Sequence, residues 1–173
     1  DERKGMEYFI DAIDRLVKLH PELKDNTSVA VLGGNAQLVC DRLALKAYPL
    51  GYVSDEHRIV DIYRSADMYV LPSLEDNLPN TIMEAMACGV PCVGFRVGGI
   101  PEMIEHRRTG YVANFKDSND IATGMNWVLQ EADAAQLSSA CVSKVARCYS
   151  GQSVAMRYIE VYNELIALKR YIV

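Results

Sequence analysis

Two patterns of apolar positions alternate along this chain. Residues 5–22 place apolar side chains three and four positions apart, the spacing of one helix face. Residues 28–34 form a short apolar run that ends in two glycines, which is typical of a buried strand and its turn. Both patterns recur, so the sequence predicts further helices over about 36–46, 55–66, 81–88 and 98–106 and from about 118 onward, and further strands over about 47–53, 67–73, 91–95 and 110–115.

Strands that alternate with helices predict a parallel sheet, because right-handed crossovers place helices on both of its faces. Several of the predicted strands are apolar throughout, as sheets covered on both faces require. We therefore predict one α/β domain over residues 1–173, with a doubly wound parallel sheet. Ligands bind such sheets at the carboxyl ends of the strands. Four loops should share that edge, at residues 33–34, 52–53, 72–80 and 98–99.

The composition of the chain argues against a nucleic-acid-binding protein, a membrane span and a metal site. The chain has 173 residues, half of them apolar, and a net charge of -5, so it has enough residues for a core and no basic field to attract nucleic acid. No apolar run reaches the roughly 18 residues of a membrane span. The five cysteines are an odd number in mostly apolar surroundings, which indicates reduced thiols and a cytosolic compartment. Cys88 and Cys92 could form a metal pair, but no His/Cys partner set follows them, and we predict no metal site.

The segment SLEDNLPNTIMEAMACGVP, residues 73–91, places acidic side chains on both sides of a predicted helix start. One interpretation is a capping box, in which the Thr81 side chain accepts from the amide of Glu84 while Glu84 reaches back to the amide of Thr81. Gly89 and Pro91 would then end the helix. Under this interpretation Glu84 needs no ligand.

The other interpretation is a ligand site at the same helix start. The first amides of a helix lack partners and attract anions, so a phosphate could lie over the amides of Asn80 and Thr81. The carboxylates of Asp76 and Glu84 could accept hydrogen bonds from hydroxyls on either side of that phosphate. A nucleotide-sugar has this order of groups, with a sugar, two phosphates and a ribose.

Residues 70–112, VLPSLEDNLPNTIMEAMACGVPCVGFRVGGIPEMIEHRRTGYV, resemble the core of the retaining glycosyltransferases of the two-domain GT-B type, family 4, once called group 1. Their signature is Glu-x7-Glu followed by Ala-Met-Ala-x-Gly-x-Pro. Two other segments, RKGMEYFIDAI and YRSADMYVLPS, resemble the same family. The resemblance implies that the chain is the Rossmann-like, C-terminal half of a GT-B enzyme without its N-terminal acceptor domain. The last helix, about residues 152–171, would cross to that domain.

The resemblance also implies roles for individual residues. Glu84 matches the second glutamate of the signature, which holds the ribose hydroxyls, and Asp76 falls on the first, which contacts the donor sugar. Glu75 is one place out of register. Pro79 stands where many members have glycine and offers no amide, so one donor to the sugar is missing. The remaining implied contacts are those of Asn77 and Leu78 with the donor sugar, and those of Lys4, Asn80, Thr81, Gly33, Tyr52 and Val53 with the nucleoside diphosphate.

The function implied by the resemblance is a hexosyltransferase-type transfer of a sugar from a nucleotide diphosphate to an acceptor hydroxyl, with retention, in polysaccharide or glycan biosynthesis. It needs no metal or other cofactor, and no catalytic residue falls in this chain, which alone should be inactive. The intact enzyme would be cytoplasmic, and peripheral to the membrane if its N-terminal domain binds there. The alternative is a self-contained, non-catalytic module that binds a nucleotide or a protein. A dinucleotide-dependent oxidoreductase is disfavoured, because residues 33–34 lack the G-x-G-x-x-G pattern.

Overall fold

The computed structural model describes residues 2–169, so Asp1, residues 170–173 and the end of the predicted last helix lie outside the described residues. Helices and strands alternate as predicted. The strands are β1 (Ser28–Leu32), β2 (Lys46–Gly51), β3 (Tyr69–Leu71), β4 (Cys92–Phe95) and β5 (Gly110–Ala113). The helices are α1 (Met6–Leu19), α2 (Leu23–Asn26), α3 (Ala36–Cys40), α4 (Glu56–Arg64), α5 (Asn80–Ala87), α6 (Ile100–Met103), α7 (Ser118–Asn126), α8 (Ala134–Cys148) and α9 (Gly151–Lys169), with a 3₁₀ turn at Glu2–Lys4 and a π-helical turn at Trp127–Glu131.

All strand pairs in the described part of the chain are parallel, which confirms the predicted α/β class. Their hydrogen bonds form two separate segments, β1 with β2 and β3 with β4 and β5. Strands β4 and β5 are buried at every position, whereas β1 alternates between exposed and half-buried positions. The core of the domain therefore lies around the three-stranded segment.

Helices cover both faces of this three-stranded segment, as the sequence predicts. Successive residues of β4 point to opposite faces. Val93 and Phe95 pack with α1 and α7 in one apolar cluster, while Cys92 packs with α4, α5, α6 and α8 in the other. The doubly wound arrangement is thus built from two cores that share one sheet.

A local capping residue explains where α4 begins, and tertiary packing explains where α3 ends. Asp55 caps α4, because its carboxylate accepts hydrogen bonds from the amides of His57 and Arg58. The helix predicted over residues 36–46 is wrong beyond Cys40, where α3 ends. Leu45, only 5% exposed, is buried in the core cluster that contains α1, so burial of this side chain prevails over helical continuation.

Helix α9 is exposed along most of its described length. Its apolar residues Ile159, Tyr162, Leu165 and Ile166 are between 48% and 58% exposed. No helix within residues 2–169 is both long enough and apolar enough to cross a bilayer.

Candidate functional site

The loop after β3, residues 72–79, rests on the glycine pair of the next loop along the sheet edge. Gly98 has φ +52°, and a Cβ on it would collide with the carbonyl oxygen of Asp76. The amide of Gly99 donates to the carbonyl of Asn77 at 2.6 Å. Only glycine permits this close approach, so the pair 98–99 determines where the backbone at Asp76 and Asn77 lies.

The start of the chain reaches the same edge. The amide of Leu74 donates to the carbonyl of Arg3 at 2.7 Å, and Gly5, with φ +62°, leaves no room for a Cβ against the carbonyl of Pro72. This packing explains the glycine that follows Lys4 in the sequence. It brings the Nζ atom of Lys4 to 4.0 Å from Oδ2 of Asp76, with the two side chains 58% and 20% exposed. Two residues that are distant in sequence therefore form one charged pair.

Helix α5 begins with amides that have no hydrogen-bond partner among the described residues. Its N-cap is Pro79, which makes no side-chain cap, and the amide of Ile82 turns back to the carbonyl of Pro79. The amides of Asn80 and Thr81 are left open to an anion. Lys4 pairs with Asp76 in the loop that precedes this helix, which adds a positive charge to the same edge.

The capping-box interpretation of this segment is wrong. Thr81 is the second residue inside α5 rather than its cap, and no side chain caps the helix. The side chain of Thr81 instead shares a hydrogen bond with the hydroxyl of Tyr69. The hydroxyl of Tyr63 donates to Oε2 of Glu84 at 3.3 Å. Glu84 is exposed and its side chain satisfies no amide of its own helix, so its carboxylate is available to a ligand.

Tyr63 and Tyr69 are functional candidates that sequence reasoning missed. In the structure Tyr63 is buried and Tyr69 is half-buried in one apolar cluster. Their rings meet edge to face, with centroids 5.7 Å apart. Burial raises the pKa of Tyr69 to about 12, although its bond with Thr81 acts in the other direction, and burial also raises the pKa of Tyr63. Both hydroxyls therefore keep their protons at neutral pH.

Ser73 is a third missed residue, and the sequence carried no signal for it beyond its place after β3. Its side chain is fully buried, and its hydroxyl has no hydrogen-bond partner among the described residues. It lies at the start of the loop that carries Asp76.

The structure brings most of the predicted site residues to one edge and leaves three apart. Six of these residues lie at or beside the carboxyl end of β3, together with Thr81 at the start of α5. They are Lys4, Asp76, the exposed Asn77 and Leu78, Asn80 and Glu84. Gly33 and Tyr52 lie instead at the ends of β1 and β2, where the amide of Gly33 donates to the carbonyl of Gly51. Tyr52 is 86% exposed and Val53 is half-buried. No hydrogen bond or ion pair within residues 2–169 joins these three to the loop after β3.

A cavity of about 510 Å³ is lined by Asp67 and Pro91, which precede β3 and β4. It therefore lies at the opposite, amino ends of these strands. No group of three or more His, Cys, Asp or Glu side chains that could hold a metal occurs in the described part of the chain. Independence from metal stays a prediction.

Comparison of sequences places the chain among glycosyltransferases. The family model described as "Glycosyl transferases group 1" matches residues 1–131. The D-inositol 3-phosphate glycosyltransferase of Corynebacterium jeikeium is 26% identical over 173 residues, which cover 94% of this chain and 41% of that protein. The N-acetyl-alpha-D-glucosaminyl L-malate synthase of Bacillus anthracis is 27% identical over 116 residues, which cover 66% of this chain and 30% of that protein. The chain spans less than half the length of these relatives.

Comparison of structures supports the fold. HepE of Anabaena, in a crystal structure with UDP and glucose, has a TM-score of 0.75 at 21% identity over 95% of this chain and 46% of that one. Sucrose-phosphate synthase of Thermosynechococcus elongatus also has a TM-score of 0.75 at 21% identity, over 97% and 44% of the two chains. These similarities confirm the Rossmann-like half of a GT-B enzyme. Because the family model matches well over half of its residues, the chain belongs to the glycosyl transferases group 1 family.

Proposed function

We propose that this chain is the nucleotide-sugar-binding half of a glycosyltransferase, which transfers a sugar from a nucleotide diphosphate to an acceptor hydroxyl. One observation carries the proposal. The open amides of Asn80 and Thr81 follow Asp76 in the chain and precede Glu84, and Lys4 pairs with Asp76. An anion site flanked by hydroxyl acceptors matches a diphosphate with a sugar on one side and a ribose on the other.

The diphosphate, the ribose and the donor sugar would each have a place on this edge. The amides at the start of α5 and the ammonium of Lys4 would bind the diphosphate and stabilise its charge as it leaves the sugar. Glu84 would accept from the ribose hydroxyls. Asp76, with the backbone at Asn77 and Leu78, would contact the donor sugar. This arrangement would stabilise the leaving group without a metal ion.

The base would lie toward the other sheet segment. Gly33 has φ +112° and open space where a side chain would be, so a ligand can approach its backbone closely. The ring of Tyr52 is exposed and could stack on a base, with Val53 beside it. The UDP held by HepE makes uridine nucleotides the first choice for testing.

The acceptor site would belong to a separate, N-terminal domain of the intact enzyme. Two observations support this proposal. The relatives are more than twice as long as the matched part of the chain, and α9 exposes an apolar surface that another domain could cover. Retention at the anomeric carbon and a cytoplasmic location, with membrane contact made through the N-terminal domain, complete the proposal.

The proposed function is tested by measuring nucleotide-sugar binding and sugar transfer separately. The 173-residue chain should bind a nucleotide-sugar, so its melting temperature should rise with UDP-, GDP- or ADP-sugars. Ligand at 100 times its Kd stabilises a protein by about 2.7 kcal/mol, which is roughly 5–10 °C for a domain of this size. The same chain should release no sugar to any acceptor alcohol. Robust transfer by the chain alone would contradict the two-domain account, and an unchanged melting temperature with all three classes would contradict the nucleotide site.

Replacement of Asp76 should lower the affinity for a nucleotide-sugar more than the affinity for the nucleotide alone. The ion pair of Asp76 with Lys4 is long and only its lysine side is exposed, so its loss should change the free energy of UDP binding by less than about 1 kcal/mol. Replacement Asp76→Ala should lower affinity for UDP-glucose about tenfold through lost hydrogen bonds to the sugar, and change affinity for UDP less than about fivefold. Calorimetric titration of both ligands measures the two effects. Glu75→Ala is the matched control, and equal losses for UDP and UDP-glucose in Asp76→Ala would refute the assignment.

A further inference from the structure

We propose that Tyr63 is a positioning residue for ligand binding, and that its hydroxyl holds the Glu84 carboxylate in the orientation that receives the ribose. The inference rests on the proposed role of Glu84 and extends it to a residue outside the binding surface. Tyr63 belongs to the last turn of α4, whereas Glu84 belongs to the second turn of α5. The two helices pack on the same face of the sheet, where both contribute to one apolar cluster.

Tyr63 is held firmly enough to act as a support. Its side chain is only 5% exposed, and its ring packs edge to face against Tyr69 at 5.7 Å. Tyr69 is the first residue of β3 and is itself bonded to Thr81 on α5. Two tyrosine hydroxyls from different elements thus contact the first two turns of α5. Because burial raises the pKa of both, Tyr63 remains a hydrogen-bond donor throughout the neutral range.

Glu84 needs such a support more than a buried carboxylate would. It is exposed, and a free glutamate side chain loses conformational entropy when a ligand fixes it. A carboxylate held in place before binding avoids part of that loss. The bond from Tyr63 occupies one lone pair of Oε2, and an ionised carboxylate has about four such sites. Oε1 and the rest of Oε2 therefore remain for two ribose hydroxyls.

The bond of 3.3 Å is long for a hydroxyl donor, so the expected effect is moderate. Tyr63→Phe keeps the ring and its contact with Tyr69 and removes only the hydroxyl. We expect this variant to bind UDP about three- to tenfold more weakly than the unchanged chain. It should also discriminate less between UDP and 2′-deoxyUDP, because a loosely held Glu84 contacts the 2′-hydroxyl less well.

The chain offers a matched control in Tyr111→Phe. Tyr111 is also a buried tyrosine whose hydroxyl donates to a carboxylate, that of Asp120 at 2.8 Å, but this pair lies away from α5. Loss of this hydroxyl should lower the melting temperature without changing the Kd for UDP. A purely structural role of Tyr63 predicts the same behaviour for both variants.

The experiment is calorimetric titration of UDP and 2′-deoxyUDP into the unchanged chain, Tyr63→Phe, Tyr111→Phe, Glu84→Ala and the double variant Tyr63→Phe/Glu84→Ala. We expect Tyr63→Phe to weaken UDP binding only where Glu84 is present, so the double variant should match Glu84→Ala. If Glu84→Ala loses affinity but Tyr63→Phe binds like Tyr111→Phe, the positioning role is refuted while the proposed function stands. Unchanged affinity in Glu84→Ala would contradict both.

Discussion

A Glu84→Ala variant should bind UDP about ten- to a hundredfold more weakly than the unchanged chain. Hydrogen bonds to an ionised group contribute about 1.5–3 kcal/mol, and the ribose hydroxyls would lose them all. The loss should be similar for UDP and for UDP-sugars, because the ribose is common to both. Calorimetric titration of folded protein measures it, with circular dichroism to confirm the fold.

The structure also predicts that this variant folds well. The Glu84 side chain caps no amide of α5, and its only hydrogen bond within the described residues comes from Tyr63. The stability of the variant should therefore fall by less than about 1 kcal/mol. Glu75→Ala, on the same stretch and exposed, is the matched control and should bind UDP normally. Unchanged UDP affinity in folded Glu84→Ala would mean that the ribose is bound elsewhere.

A Gly98→Ala variant should bind UDP-sugars at least about tenfold more weakly than the unchanged chain. The new Cβ would collide with the carbonyl of Asp76, and alanine at a positive φ costs about 1–2 kcal/mol in addition. The loop after β3 would have to move, and with it the backbone at Asp76 and Asn77. Titration with UDP-glucose and a thermal melt measure the two consequences.

The control for this substitution is Gly151→Ala, because a Cβ there meets no atom within 4 Å. That variant should bind and melt like the unchanged chain. Gly99→Ala should reproduce the effect of Gly98→Ala, since its Cβ would meet the carbonyl of Asn77. If Gly98→Ala folds and binds UDP-glucose with unchanged affinity, the glycine pair does not position the loop for the donor.

The spacing of apolar residues is sufficient to predict the helices and strands of this fold. It does not predict where each element ends or which strands become neighbours. The apolar spacing of α1 and the runs of β4 and β5 depend on local residues alone, and the structure confirms them. The early end of α3 depends on a distant core that receives Leu45, which no local pattern contains. The division of the strands into a pair and a triplet depends on which strands become neighbours, and apolar runs do not encode that.

Some residues of the candidate site can also be predicted from local motifs, whereas others depend on contacts between distant elements. The signature motif makes Asp76 and Glu84 candidates, and the Lys-Gly segment does the same for Lys4. Their roles stay predictions. The capping-box interpretation failed because Pro79 begins the helix earlier than the threonine suggested. Tyr63 carries no local signal of its role, because its contact with Glu84 joins two helices across 21 residues of sequence and its own neighbours indicate only burial.

Nuclear magnetic resonance of the 173-residue chain, titrated with UDP, tests the central claim most directly, because it shows where the ligand binds. The account predicts the largest amide shifts at Asn80 and Thr81, whose N–H groups would contact the diphosphate, with smaller shifts near Lys4. Shifts confined to the cavity at the amino ends of the strands, around Arg64 and Ser138, would contradict it.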